Sequence, residues 1–189
     1  MINKALQFTS DTLNQFLRNR FGLDETKVVM NKLIDSNGQV PSINQNKVII
    51  SLINLEKETT KAYHIRNHSL SNGSFVNVNP AERFNLDILL SANFDDYSET
   101  LKFLNAVILF FQLNNSLSVN TSSSFPAGLE KLEFDIEKLS YQQMNNLWSA
   151  MGANYQPSVI YKMRLLTIQG FESEGYVGAI STIDNQVTQ

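Results

Sequence analysis

The stretch Asn46-Lys47-Val48-Ile49-Ile50-Ser51-Leu52-Ile53-Asn54-Leu55 decides the fold class. From Val48 to Ile53 nearly every residue is apolar and several are β-branched, which favours an extended chain and makes both of its faces hydrophobic. Such a strand is stable only in the interior of a sheet covered on both sides. The rest of the chain therefore has to supply neighbouring strands and two covering layers.

Both are found by working outward. Toward the N-terminus, Ile2, Leu6, Thr9, Leu13, Phe16 and Phe21 recur at three to five residue steps, which predicts a helix over residues 2–21 that Gly22 ends. Lys27 to Leu33 reads as a short Val-containing strand, followed by the turn Asp35-Ser36-Asn37-Gly38-Gln39-Val40-Pro41. Toward the C-terminus, Asn72-Gly73 marks a hairpin inside the polar stretch 56–79. Arg83 to Ala92 then alternates, with Phe84, Leu86, Ile88, Leu90 and Ala92 on one face against Asn85, Asp87 and Ser91 on the other. Asp95 or Asp96 caps a second helix, whose apolar face is read as Leu101, Leu104, Val107, Ile108 and Phe111, widened by Phe103 and Phe110.

The stretch from Asn114 to Pro126 reads as a loop between two halves of one domain. Leu132, Phe134 and Ile136 alternate with charged residues in a strand over 129–137, so one face is predicted buried. Ser140 and Gln143 form a capping box opening a third helix, which carries Met144, Leu147, Trp148 and Met151 and is closed by Gly152. Ser158 to Ile168 is the last strong strand, and 169–189 reads as a flexible C-terminal tail. The expected fold is α/β (α+β), with a mixed sheet of about four to six strands flanked by three main helices in a single domain over 1–168.

Composition narrows the function. The 189 residues are 42% hydrophobic and 17% charged, enough for a core and somewhat poor in charge for a fully solvated monomer surface. Fifteen basic against eighteen acidic residues give a formal net charge of −3, with no basic stripe to neutralise a phosphate backbone, which argues against nucleic acid as a partner. There is no cysteine, which excludes disulfides, thiolate metal sites and cysteine nucleophiles. The longest apolar run, Ala106 to Phe111, is far short of a membrane span, and the N-terminus lacks a signal-peptide core, so a cytoplasmic product without membrane insertion is expected.

Catalytic chemistry finds few residues to work with. His64 and His68 have i, i+4 spacing, but the residues between them lack the glutamate of a zinc-protease motif and the segment reads as loop or hairpin. Asp95, Asp96 and Glu99 could hold a cation or serve a small enzyme or a monomeric binding module; carboxylates at a helix start also follow from capping and the helix dipole. Gly170, Gly175 and Gly178 are not followed by the Lys-Ser/Thr of a phosphate loop. Phe103, Phe110, Met144, Trp148 and Met151 could line a pocket or an interface, with core packing as the plainer reading. No catalytic, cofactor-binding or metal-ligating residue is assigned, and no cofactor is expected.

The ordered string carries more. Met1-Ile2-Asn3-Lys4-Ala5-Leu6, Leu13-Asn14-Gln15-Phe16-Leu17, Arg20-Phe21-Gly22-Leu23 and residues 46–56 come first. Leu70-Ser71-Asn72-Gly73-Ser74-Phe75, Leu90-Ser91-Ala92-Asn93-Phe94, Tyr97, Leu101-Lys102-Phe103-Leu104, Leu147-Trp148 and residues 157–164 follow in order. Together they resemble the N-terminal domain family of cap, or tail terminator, proteins of phage-tail-like contractile injection systems. That resemblance implies a tail-terminator-like fold, a homohexameric ring on the distal end of the inner tube and sheath, and tube and sheath subunits as partners. It also implies that polymerisation stops there and that the last sheath layer is held. The protein would be cytoplasmic at synthesis and assembly, then part of the particle, with no catalytic residues to carry over. Some members continue into a further C-terminal region, where this sequence has only its short tail.

Overall fold

The computed structural model describes residues 1–58, 67–69, 75–78, 82–122, 124–168 and 173–177; for 67–69, 75–78, 82, 165–168 and 173–177 the description is of the backbone. In chain order the elements are α1 (Ile2–Phe21), β1 (Val28–Met30), a 3-10 turn (Ser42–Asn44), β2 (Lys47–Lys57), β3 (Asn67–Ser69), β4 (Phe75–Val78) and β5 (Glu82–Asn93). They continue with α2 (Tyr97–Leu113), β6 (Ser116–Ser118), β7 (Lys131–Glu137), α3 (Tyr141–Met151), β8 (Ser158–Ile168) and β9 (Ser173–Val177). Six strands form one sheet in the order β1-β2-β5-β8-β7-β6, and β3-β4-β9 form a second. The pair β1–β2 is parallel and the other pairs are antiparallel, so the main sheet is mixed, as expected.

β2 lies between β1 and β5, and Val48, Ile49 and Ile50 are at most 1% exposed, on both faces of the strand. β5 is buried more completely than its alternation predicts. Leu86, Ile88 and Leu90 face the layer made by α1 and α2, while Leu89, on the opposite face, packs with Trp148 of α3 in a second apolar cluster. Ser91, on the polar side of the alternation, is likewise fully buried.

Aromatic rings knit the larger layer together. Phe16 of α1 meets Phe110 of α2, Phe21 meets Phe103, Phe94 stacks on Phe103 at 4.3 Å, and Phe111 stacks on Tyr161 of β8 at 4.2 Å. Phe103 and Phe110 are therefore core residues. α1 is tied to the sheet by Asn14, whose Oδ1 accepts the backbone N–H groups of Lys27 and Val28 at 2.8 and 3.3 Å. Gly22 ends the helix at φ 63°, a left-handed conformation that costs glycine nothing.

Three expectations are corrected. The buried face of α2 is Thr100, Phe103, Ala106, Val107, Phe110 and Phe111, while Leu101 is 46% exposed, because a helix apolar nearly all round does not reveal by spacing which side packs. A strand, β6, lies inside the predicted loop 114–126, held by pairing with β7 and by Leu117, which is 3% exposed. Ile136 is 61% exposed although it continues the buried alternation of Leu132 and Phe134. Within the stretch from 169 that the sequence reads as a tail, the described residues 173–177 form β9, whose backbone pairs with β4. The Asn72-Gly73 turn lies outside the described residues, but β3 and β4 on either side pair antiparallel, with Ser69 opposite Phe75.

Trp148 anchors the smaller layer. It is 4% exposed, its Nε1–H points at Met144 Sδ at 3.2 Å, and its ring meets Tyr155 edge-on. Replacing Trp148 with alanine is expected to remove about 3 to 5 kcal/mol of stability, read as a lowered midpoint in chemical denaturation. An unchanged midpoint would show that α3 contributes little to the fold.

Candidate assembly surface

The acidic residues at the start of α2 are occupied by structural duties. Asp96 is the N-cap, accepting the Ser98 N–H at 2.8 Å. Asp95 exchanges two hydrogen bonds with Asn46: its Oδ2 accepts from Asn46 Nδ2 at 3.0 Å, and its backbone N–H donates to Asn46 Oδ1 at 3.1 Å. Asn46 has φ 54°, which asparagine tolerates, so this pair fixes the entry to β2 against the exit of β5. Glu99 pairs with Lys102 at 3.1 Å. Among the described residues no group of three or more histidines or carboxylates could hold a metal ion, and no helix is long and apolar enough to cross a membrane. His64 lies outside the described residues, and only the backbone of His68, in β3, is described.

The features left over are surfaces. α3 covers only part of its face of the sheet, over Ile49, Leu89 and Ile160. Where α3 ends, the same face becomes ionic. Lys162 of β8 reaches Glu56 of β2 at 3.0 Å, Glu137 of β7 at 3.4 Å and Asp87 of β5 at 3.7 Å, and Arg164 meets Asp135 at 2.5 Å. The hydrogen bond to Glu56 is the main cause of a Lys162 pKa above the ordinary lysine value, with Asp87 and Glu137 adding to it and partial burial opposing it. Between α3 and β2 opens a cleft of about 330 Å³ lined by Leu33, Ile34, Ile53, Leu147 and Met151.

Among the described residues, strands cover only part of each edge of the main sheet. β1 pairs with β2 only at Val48, Ile49 and Ile50. The chain then leaves the sheet, because buried Asn44 accepts from Asn31 Nδ2 and donates to the Lys32 carbonyl, each at 2.8 Å, and Ser51 Oγ donates to the Asn31 carbonyl at 2.6 Å. From Ser51 to Glu56 no described strand lies on the outer side of β2, and Leu52 and Leu55 are 40% and 43% exposed. At the other edge β6 pairs with β7 only at Lys131, Leu132 and Glu133, which leaves the stretch from Asp135 to Glu137 with no described outer strand.

Comparison with known proteins can now be set beside this geometry. The profile of the Pvc16 N-terminal domain family matches residues 9–181. The chain belongs to that family. Two solved structures share its fold at 12% sequence identity. One is the PVC sheath/tube terminator of an extracellular contractile injection system in its extended state, with a TM-score of 0.61 over 94% of this chain and 62% of that one. The other is the tube-terminating cap of the anti-feeding prophage, with a TM-score of 0.62 over 95% of this chain and 60% of that one. This Pvc16 N-terminal domain chain thus spans about three fifths of the length of either protein. No curated protein matches it in sequence. The family resemblance read from the ordered segments is the one found; the exposure of Leu52, Leu55 and Ile136 was not legible, because they are spaced like core residues and stand exposed where β1 and β6 are short.

Replacing Lys162 with methionine leaves Asp87 without its cation in a half-buried setting and is expected to cost about 1 to 3 kcal/mol. Because the folded-state pKa is raised, the lysine's contribution is complete below the unfolded lysine value of about 10.4 and disappears as pH rises through the folded one. The difference in denaturation midpoint between wild type and Lys162→Met should accordingly hold from neutral to mildly alkaline pH and shrink above it.

Proposed function

We propose that this chain is a sheath and tube terminator of a contractile injection particle: a structural subunit, not an enzyme, that forms a ring on the distal end of the tube, stops its growth and holds the last sheath layer. The observation that carries this reading is agreement of nearly the whole chain in fold with two proteins described as terminators or terminating caps, together with membership of the Pvc16 N-terminal domain family. The surface supports it. The acidic groups that could have served catalysis are engaged in capping and ion pairing, while apolar side chains stand exposed along unfinished sheet edges, as an assembling subunit requires.

On this reading the ring is a homohexamer, its neighbours are tube and sheath subunits, and the protein is made in the cytoplasm before it joins the particle. Residues 1–168 are the capping unit, since among the described residues they contain every strand of the main sheet and the three helices. Deleting the gene is expected to give particles of irregular length or with prematurely contracted sheaths in electron micrographs. Particles of normal length and intact sheath would end the proposal. A chain truncated after Gln169 loses β9 but keeps every strand of the main sheet, so it should still cosediment with particles of normal length; failure to do so would move part of the capping function into residues 170–189.

A further inference from the structure

The strand registers align the two unfinished edges. Leu55, Leu86, Met163 and Phe134 share one row across the sheet; Asn54, Asp87, Lys162 and Asp135 share the next; Leu52, Ile88, Tyr161 and Ile136 share the one after. β1 extends the sheet outward only alongside Val48 to Ile50, below these rows, and β6 extends it only alongside Lys131 to Glu133, above them. One edge is therefore notched at one end of the strands and the other edge at the opposite end. A projection on each side matches a recess on the other.

The direction of the strands matches as well. β2 and β8 are both antiparallel to β5, and β6 and β8 are both antiparallel to β7, so β6 runs the same way as β2. When one copy follows another side by side, slid a few residues along the strands, β6 of the first enters the recess beside Ser51 to Glu56 of the second, parallel to β2. β1 of the second then fills the recess beside Asp135 to Glu137 of the first. Apolar side chains flank both sides of the join: Leu52 and Leu55 on one edge, Leu113, Val119 and Ile136 on the other, each at least 40% exposed in the single chain.

We propose that a second copy of this chain is the occupant of each edge, and that β6 of one copy extends the sheet of the next along the free half of β2. The contact is heterologous, using two different edges, and closes into a ring when repeated by rotation. A two-fold contact through β2 alone would leave the β6–β7 edge of both copies open with Ile136 exposed, the kind of edge that natural sheets protect. The proposal deepens the ring reading above and rests on it for closure.

Because the chain has no cysteine, the test is direct. Asn54→Cys and Ser116→Cys are introduced together in the full chain and treated with a bismaleimide of about 8 Å reach. Four strand spacings separate β2 from β6 within one chain, roughly 19 Å, so the reagent cannot bridge the pair internally. The expected result is a ladder of cross-linked multimers from the double variant in purified particles and from the concentrated chain, with neither single variant giving one. Adding Leu55→Lys, at an exposed position that leaves the unfolding midpoint in place, should lower the cross-linked fraction about tenfold. A chain that cosediments with particles yet gives no ladder overturns the edge proposal and leaves the terminator reading standing. A ladder from a chain that never joins particles does the reverse. Dimers from Asn54→Cys alone, as abundant as those of the double variant, would replace the head-to-tail contact with a two-fold one and overturn the proposal.

Discussion

Burial of β5 on both faces is the constraint on which the other elements depend. Leu86, Ile88 and Leu90 can be dry only if α1 and α2 lie across one side, and Leu89 only if α3 lies across the other. The two layers are unequal. α1 and α2 have 20 and 17 residues and interlock through paired rings, whereas α3 has 11 residues and extends only about 16 Å. A helix that short covers the buried sheet residues Ile49, Leu89 and Ile160, with Val29 and Ile53 at its margin. Charged residues in the next rows follow from its length: uncovered positions of a sheet face water, and there the sequence places Asp87, Asp135, Lys162 and Arg164 where Leu or Ile would stand under a helix.

That ionic face belongs to the fold as much as the apolar core does. Lys162 lies in the middle of the sheet with 18% of its side chain exposed, and three strands contribute the carboxylates around it. The arrangement fixes β2, β5 and β7 about β8 without closing the surface, and it leaves that surface richer in carboxylates than in cations. Attraction in such a cluster is only moderately screened by salt because the central charge is partly withdrawn from water.

Patterns with one dominant cause were legible in the sequence. The helix over 2–21, the capping box at Ser140 and Gln143, the interior strand at 46–55 and the strand at 158–168 all stand where propensity, periodicity and turn chemistry agree. What was not legible depended on distant partners. α2 is apolar nearly all round, so only the positions of α1 and the sheet select Phe103 and Phe110 over Leu101 as core. β6 is two serines and a leucine, and it is a strand because β7 offers an edge. Of the acidic residues singled out, Asp96 was recognisable as a cap, but the partnership of Asp95 with Asn46 spans 49 positions and leaves no local trace.

The same reasoning explains why the proposed assembly edges are hidden from the sequence. Leu52, Leu55 and Ile136 obey the alternation of buried strand residues, and within one chain nothing distinguishes them from Leu86 or Leu132. They are exposed because β1 stops at Met30, where Asn44 draws the chain away, and because β6 is only three residues long. Alternation describes the surface a strand is destined to bury, in its own chain or in the next. Lengthening β1 past Asn31 would satisfy β2 within the chain and remove the recess, so the polar clamp at Asn44 holds an edge open that local hydrophobic pairing would otherwise close. A monomer gains nothing from that arrangement, whereas a subunit joined head to tail uses both edges at once and presents no unfinished strand when the ring is complete.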